Sequence, residues 1–340
     1  MIAPQQDTPA GGLGFERTVP RSLAHRRCVG EVFVTDTASA GSGEYLAAVQ
    51  IPRTHLLWSD RPAGLHNPLA LVEAVRQTMT VVGHRYLNLP PGTALSLQRA
   101  AVEVEDRSAL HDDGATPLEG IVQLRTDLTA GSAFLTDHGF TATVAVGGAV
   151  AVTVHGGGVA FPAEAYADLR RHQRAQRPST AGGGRRRAPV APARVGRRDA
   201  RNVVIADGPD GLELVVDQRH PAFFNHPYDH VPGPLLLEGF RQAALLGVGD
   251  DTAAAHLDPA PTGPALVVLE ADFTGFAEFG APLMFTTRID RDDEMDSAEI
   301  HLELIQFGAR IAGCRIDIAT GSPESWLDPA PAAASRGDSS

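Results

Sequence analysis

The feature that most constrains this chain is an internal repeat with a period of 165 residues. An ungapped shift of that length places His55 on His220 and the segment LVEAVRQ on the segment LLEGFRQ. A period this long is typical of a duplicated domain rather than of a solenoid. The fold must therefore be one that two copies of a single unit can build.

Each copy contains one helical pattern followed by several strand-like runs. The helical patterns span about 68–83 and 234–247, and the second is apolar on most of its sides. Alternating runs such as GIVQLRTDL and AEIHLELIQ follow them. One helix with many alternating strands predicts an antiparallel sheet packed on a central helix. The expected fold class is α+β, with two such units in contact and related by a pseudo-twofold axis.

A segment rich in arginine, glycine and proline separates the copies. Residues 170–198 hold ten Arg and no Asp or Glu. This composition predicts a flexible linker, either a basic arm for an acidic partner or simply a solvated tether. The predicted organisation is a tail, a first repeat, a linker, a second repeat and a tail, at 1–25, 26–166, 167–197, 198–320 and 321–340.

Composition excludes several classes of protein. The 340 residues are 43% hydrophobic and 21% charged, as in a soluble globular protein. The N-terminus lacks the regions of a signal peptide, and glycines and His155 interrupt the longest apolar stretch. Only Cys28 and Cys314 are present, too few for a disulfide framework. We therefore expect a cytoplasmic protein that neither spans a membrane nor binds nucleic acid.

A cluster of proton-carrying side chains lies directly before the second helix. In HPAFFNHPYDHVPGP, which begins at His220, three histidines and an aspartate precede a Pro-Gly turn. The free N–H groups and the positive dipole end of a helix polarise a carbonyl placed there. A nearby imidazole can exchange a proton at neutral pH. This arrangement predicts thioester or ester chemistry, with the catalytic candidates His226, Glu238, Asp229 and His230.

Both predicted helices carry a glutamate, an arginine and a glutamine on one face. These are Glu73, Arg76 and Gln77 in the first copy and Glu238, Arg241 and Gln242 in the second. Unpaired buried charge is costly, so each set needs partners. Each set is either an internal ion pair that fixes the packing or part of a binding site. In the second case, Arg241 or Arg76 can bind a phosphate.

The histidines of the cluster do not indicate a metal site. His226 and His230 are four residues apart, but Pro227 and Pro232 disfavour the helix that would align them on one face. The sequence also contains no HExxH-like pattern. We therefore expect no metal and no other cofactor.

The segment FFNHPYDHVPGPLLLEGFRQA resembles the loop and central helix of the hotdog-fold 3-hydroxyacyl-carrier-protein dehydratases. Those enzymes carry an FF-x-G-H segment, a Pro-Gly turn and a helix with E-A-x-x-Q. By this resemblance, His226 and Glu238 match their acid–base pair. The segment here is a few residues shorter and lacks the glycine before the histidine, which counts against dehydration itself.

Nearly the whole chain is similar to the A-factor biosynthesis hotdog family of actinobacteria. The similarity rests on HNPLALVEAVRQ in the first copy and VDQRHPAFFNHPYDHVPGPLLLEGFRQAA in the second. It implies a tandem hotdog, in which an antiparallel sheet wraps each long central helix. It also implies an acyltransferase that moves a 3-oxoacyl group from acyl carrier protein to the hydroxyl of dihydroxyacetone phosphate. This reaction is the first step of γ-butyrolactone signal synthesis.

Within this resemblance, His226 is the general base and Glu238 orients the base or the substrate. Asp229 and His230 are weaker candidates, since His230 serves equally well as a brace of the turn, and His220 is structural. The substrate-binding residues are Gly233, Leu235, Arg241, Gln242, Glu73 and Arg76. The expected assembly is an internal pseudo-dimer, which leaves a monomeric protein open. Two other classes also stay open: a non-catalytic acyl- or lactone-binding double hotdog, and a thioesterase or dehydratase acting on acyl thioesters.

Overall fold

The computed structural model describes residues 12–61, 64–128, 137–178, 187–249, 264–292 and 296–320. The first half contains six strands and one long helix: β1 (Val34–Gly41), β2 (Glu44–Ile51), α1 (Pro68–Arg85), β3 (Ala94–Val104), β4 (Leu118–Thr126), β5 (Asp137–Val146) and β6 (Ala149–Phe161). Helix α2 (Ala163–Ala175) follows them. The second half contains β7 (Ile205–Gly208), β8 (Gly211–Leu214), α3 (Gly233–Val248), β9 (Ala265–Phe273), β10 (Met284–Asp292), β11 (Ser297–Gln306) and β12 (Ala309–Ala319).

All twelve of these strands belong to one sheet. Their order is β1-β2-β4-β5-β6-β3-β9-β12-β11-β10-β8-β7, and each pairing is antiparallel. The two halves join where β3 pairs with β9, from Arg99 opposite Asp272 to Glu103 opposite Val268. These two strands each follow the long helix of their own half. The predicted contact between the copies and the antiparallel sheet are therefore both present.

The two long helices lie close to the predicted positions. Helix α1 begins after Asn67, whose side chain accepts a hydrogen bond from the amide of Leu69 at 3.0 Å, and Pro68 occupies the first turn. Helix α3 begins after Pro232 and is buried on most sides, including Leu235, Phe240 and Ala244. Because apolar residues surround α3, it packs against its own sheet and against α1 at the same time.

The N-terminal segment is folded over its described part. The predicted tail 1–25 includes Val19 and Ala24, which are both buried in the core. The amide of Val19 donates to the carbonyl of Val34 at 3.0 Å, next to the start of β1. The prediction of a tail was therefore wrong for this stretch, because two apolar side chains are enough to anchor it. Residues 1–11 lie outside the described residues.

The predicted linker 167–197 is also folded at both of its ends. Helix α2 runs into it as far as Ala175, and Val190 and Val195 are buried. The high arginine content indicated a solvated segment, but Arg170 on α2 is buried and forms ion pairs with Asp229 and Glu278. A flexible linker was therefore the wrong prediction for these parts. Residues 179–186 and 321–340 lie outside the described residues. Within the described ranges, no helix is long and apolar enough to cross a membrane.

Candidate active site

The second half contains a closed cluster of buried charge around Glu238 on α3. Its Oε1 lies 2.8 Å from Arg197 Nη2 and 2.6 Å from Arg241 Nη2, and it accepts from Gln242 Nε2 at 2.6 Å. The side chains of Glu238 and Arg197 are 0% exposed. Burial alone would raise the pKa of Glu238, but Arg197 and Arg241 lower it to about 2. The carboxylate is therefore charged at neutral pH and fully enclosed.

A loop of the first half closes this cluster from the other side. Arg197 Nη1 donates to the carbonyls of Leu57 and Asp60, each at 2.6 Å. The Asp60 carboxylate accepts from the amide of Arg198 at 2.8 Å and from Asn202 Nδ2 at 2.8 Å. The predicted candidates Glu238, Arg241 and Gln242 are thus bonded to other groups of the protein. They form the internal ion pair that was the second interpretation of this motif.

The matching cluster in the first half is open. Glu73 on α1 forms ion pairs with Arg26 and with Arg76, whose Nε lies 2.9 Å from Oε2. Gln77 Nε2 donates to Glu73 Oε1 at 2.9 Å. Burial opposes the charge on Glu73, but Arg76 and Arg26 hold its pKa below its ordinary value. The Arg76 side chain is 30% exposed, so this cluster can meet a ligand.

The two glutamines explain why both helices carry the same motif. Gln77 accepts from the amide of Phe33 at 2.9 Å and donates to the carbonyl of Glu31 at 3.0 Å. Gln242 accepts from the amide of Val204 and donates to the carbonyl of Asn202, each at 2.8 Å. Each glutamine therefore ties its helix to the chain that leads into the first strand. These bonds pair two amides and two carbonyls that the strands themselves do not.

A cleft of about 860 Å³ lies at the junction of the two halves. Helix α1 contributes Arg76, the segment before α3 contributes residues 226–232, and α3 itself contributes Gly233. Helix α2 covers part of it with Tyr166, and the N-terminal segment contributes residues 25–27. The cleft therefore combines α1 of one half with the helix mouth of the other.

A small apolar pocket of about 30 Å³ adjoins the cleft. It shares Arg76, Leu97 and Pro234 with the cleft and lies between α1 and the sheet. Its apolar lining consists of Trp58, Leu69, Val72, Leu97, Ala100, Phe140, Val154, Pro234 and Leu237. Pro234, unusual at this position because it lacks an amide hydrogen, is thus part of the wall of this pocket. The apolar side of the cleft therefore lies next to its charged groups.

His226 lies in the cleft beside the open cluster. Its Nδ1 is 2.6 Å from Asn225 Oδ1, and Asn225 Nδ2 donates to the carbonyl of Ala222 at 3.1 Å. The amide oxygen therefore faces the imidazole, which makes Nδ1 the protonated nitrogen and Nε2 the basic one. Burial, followed by Arg26 and Arg76, lowers the pKa of His226 to about 4. At neutral pH, His226 is an uncharged base, oriented by Asn225 rather than by Glu238.

Asp229 and His230 connect the cleft to α2. Asp229 accepts from His230 Nδ1 at 2.6 Å, from Tyr166 Oη at 2.9 Å and from Arg170 Nε at 2.8 Å. Although burial opposes its charge, the bonds from His230 and Arg170 hold the pKa of Asp229 below its ordinary value. Arg170 also pairs with Glu278 at 2.8 Å. These bonds make Asp229 an anchor for α2 and fix the orientation of His230.

The start of α3 offers one of the two predicted amides to the cleft. The amide of Leu235 donates to the carbonyl of Pro232 at 3.0 Å, and its side chain is buried in the core. Gly233 lines the cleft. The Leu235 amide is therefore already used in a hydrogen bond within the helix, and the Gly233 amide is the better candidate to bind a carbonyl oxygen.

One further group of side chains has metal-like spacing among the described residues. Ligand atoms of Asp290, Glu299 and His301 lie within 4.8 Å of one another on the sheet. Glu299 is already paired with Arg315 at 2.9 Å and with His301 at 2.7 Å. The group does not line the cleft, and we assign it no role.

Sequence reasoning missed several residues of this site. Arg26 lies one residue beyond the predicted tail and His25 within it, while Asn225 and Tyr228 stand inside the histidine cluster without being singled out. A signal for Asn225 existed, since the repeat shift places it on Asp60. Asp60 bonds the chain next to Arg197 in the closed cluster. Asp60 thus has a structural role in the first half, while the equivalent residue of the second half, Asn225, orients His226.

Two comparisons of sequence identify the family. Residues 9–157 and 180–320 match the family model of the A-factor biosynthesis hotdog domain. The 2-oxo-3-(phosphooxy)propyl 3-oxoalkanoate synthase of Streptomyces virginiae is 31% identical over 269 residues, which cover 78% of this chain and 85% of that protein. The synthase of the same name from Streptomyces griseus is 27% identical over 301 residues, covering 85% and 91%.

Solved structures are less similar. The 12:0-ACP thioesterase of Umbellularia californica is 10% identical, with a TM-score of 0.43 over 81% of this chain and 93% of that one. A likeness at this level carries no argument about activity. The family match spans most of the chain and agrees with the antiparallel sheet and central helices described above. This chain belongs to the A-factor biosynthesis hotdog family.

Proposed function

We propose that this protein is an acyltransferase that esterifies a hydroxyl of dihydroxyacetone phosphate with a 3-oxoacyl group from acyl carrier protein. The name shared by its relatives describes an ester between a 3-oxoalkanoate and a phosphorylated three-carbon ketone. The observation that carries the proposal is the neutral imidazole of His226 in a cleft that also contains Arg76, which is paired with Glu73 and is partly exposed.

The proposed architecture is a tandem hotdog with units at 26–166 and 198–320. The pairing of β3 with β9 supports an internal pseudo-dimer, because it joins equivalent edges of the two halves. In this arrangement the active site is composite. The open cluster comes from α1 of the first unit, and His226 and the helix N-terminus come from the second.

The reaction follows from these positions. The acyl chain lies in the cleft of about 860 Å³, and the thioester carbonyl accepts a hydrogen bond from the Gly233 amide at the positive end of α3. His226 Nε2 removes the proton of the acceptor hydroxyl, whose oxygen attacks the carbonyl carbon. The tetrahedral intermediate then expels the carrier's thiolate, which takes the proton back from His226. The new ester and the free thiol are the products, and no cofactor is needed.

The decisive experiment is mass spectrometry of the products formed from 3-oxoacyl-carrier protein, with and without dihydroxyacetone phosphate. We expect the phosphorylated ester only when both substrates are present. Release of free 3-oxo acid at an equal rate in both mixtures would instead indicate a thioesterase. Recovery of unchanged thioester that stays bound to the protein would indicate a non-catalytic acyl-binding module.

Helix α2 is the surface that we propose for docking the acidic carrier protein. It covers the cleft with Tyr166 and exposes Arg171 and His172 on its outer side. The whole chain carries a net charge of −12, so an acidic partner needs a local basic surface. If this segment were only a flexible linker, deleting residues 172–196 would test its role in docking. The deletion would also remove Val190 and Val195, which are buried, so it would disturb the fold as well.

Charge reversal on this surface gives a cleaner test. Arg171→Glu is expected to raise the KM for the acyl carrier protein about three- to tenfold at low salt, because like charges then face each other. Arg219→Glu is the matched control, since Arg219 is also exposed and also pairs with a nearby aspartate. Steady-state kinetics at two salt concentrations measure the effect. Equal KM values for both variants would remove α2 from the docking surface.

A further inference from the structure

The N-terminal segment brings two arginines and a histidine to the cleft. His25, Arg26 and Arg27 line it together with Arg76 of α1. The acid that lines the same cleft, Asp229, is already bonded to Arg170, His230 and Tyr166. Arg26 and Arg76 share the single carboxylate of Glu73, so this side of the cleft keeps a net positive charge in a chain whose net charge is −12.

Arg26 is the best evidence that this group is built for a ligand. Its side chain is 2% exposed, and its Nε is buried without a hydrogen-bond partner among the described residues. In the closed cluster, Arg197 Nε donates to Glu238 at 3.1 Å, while Arg197 Nη2 forms an ion pair with Glu238 without hydrogen-bond geometry. A buried donor left without an acceptor is costly. An anion that enters the cleft can provide the acceptor that the protein does not.

The histidine beside Arg26 is held in a state that can gain a proton. His84 Nδ1 lies 2.8 Å from the carbonyl of Leu89, so it is protonated and His84 Nε2 is an acceptor. His25 Nε2 lies 2.6 Å from that atom and is therefore its donor, which leaves His25 Nδ1 unprotonated. The backbone at His25 has φ 51°, a conformation uncommon for a residue other than glycine. This strained, pre-oriented imidazole can accept a proton when a dianion binds.

We infer that His25, Arg26, Arg27 and Arg76 form the binding site for a phosphate ester, namely the phosphate of the acceptor. The inference rests on the proposed function for the identity of that ester. Guanidinium groups match phosphate geometry with two parallel hydrogen bonds, and several of them together select a dianion over a monoanion. A phosphate held here places the acceptor in the same cleft as His226 Nε2. The phosphodiester of the carrier's prosthetic arm is the other source of this chemistry, and the experiment separates the two.

The kinetic test uses Arg27→Ala, because Arg27 is exposed and its loss leaves the Glu73 cluster intact. We expect the ratio of kcat/KM for dihydroxyacetone phosphate to kcat/KM for dihydroxyacetone to fall at least tenfold, as loss of one charge-assisted bond does. The exposed Arg219→Ala should leave this ratio unchanged. An equal fall for both acceptors would overturn the inference. A rise in the KM for the carrier protein alone would assign the site to the prosthetic arm and overturn it as well.

A binding measurement keeps this inference separate from the proposed activity. Isothermal titration calorimetry of the resting protein with glycerol 3-phosphate should detect binding that glycerol does not show. Arg27→Ala should weaken it at least tenfold, and Arg26→Lys should also weaken it because the two-pronged donor is lost. Binding without acyl transfer would support the site and reject the activity. Absence of binding to the wild-type protein, or equal binding by Arg27→Ala, would reject the site.

Discussion

Replacing His226 with alanine is expected to lower the rate of acyl transfer by about 10²–10⁴ while leaving the fold intact, as loss of a general base does. The imidazole lies at the cleft, where its Nδ1 is bonded to Asn225 and its ring packs on Tyr228, so the variant removes the basic Nε2 and one ring contact at the cleft wall. Initial rates at saturating substrates measure the effect. His301→Ala, on the sheet and outside the cleft, is the control and should retain the wild-type rate. A wild-type rate for His226→Ala would show that the histidine cluster is not catalytic and only caps the helix.

The pH profile provides an independent check of the same role. Burial together with Arg26 and Arg76 lowers the pKa of His226 to about 4, so the base is uncharged above that pH. The rate should therefore rise as pH increases through about 4 and stay level from about 5 to 8. In Arg76→Gln one of the charges that depress the pKa is absent, and the acid limb should move toward the ordinary value of 6.5. A wild-type limb near 6.5 would contradict the assigned environment of His226.

Much of the fold was predictable because it depends on local patterns. The two long helices begin and end within about two residues of their predicted limits, since Asn67, Pro68 and the Pro-Gly turn before α3 are local signals. Alternating apolar residues predicted the strands, and the repeat predicted that the two halves are equivalent. Helix α2 was missed, because its one buried side chain is Arg170, and an arginine in a segment with ten arginines does not indicate burial.

The site was only partly predictable, because its key contacts join residues that are distant in sequence. Two nearly identical motifs, EAVRQ and EGFRQ, have opposite environments. What differs is the loop that the other half places over each of them. A loop containing Asp60 seals Glu238, while the loop containing His226 leaves a cleft beside Glu73. The resemblance to the dehydratases paired His226 with Glu238. In the structure, Arg26 and Arg76 of the first half are the charges that lower the pKa of His226 most after burial.

Glutamine substitutions at the two equivalent glutamates should therefore have different consequences. Glu238→Gln is expected to cost about 3–5 kcal/mol of unfolding free energy, because it leaves Arg197 and Arg241 buried without their counter-ion. In the wild-type protein the pKa of Glu238 is about 2, against an ordinary 4.5. The stabilisation by its ion pairs is therefore fully present above about pH 4.5 and is lost as the pH falls toward 2. Urea unfolding at pH 7 measures the difference.

Glu73→Gln is expected to cost less stability and more activity. Both clusters leave one fully buried arginine without its counter-ion, Arg26 here and Arg197 in the other half. The second arginine differs: the side chain of Arg76 is 30% exposed, so its charge is partly screened, while that of Arg241 is 9% exposed. Glu73 also raises the pKa of His226, and without it the imidazole becomes a weaker base, which should lower the rate on the order of tenfold. Both variants should be compared by urea unfolding and by initial rates per folded molecule. If Glu238→Gln kept wild-type stability but lost its activity, the chemistry would belong to the second repeat. A composite site is supported if Glu73→Gln loses more rate and Glu238→Gln loses more stability. In that case the cluster around Glu73 acts on the substrate, and the cluster around Glu238 holds the two halves together.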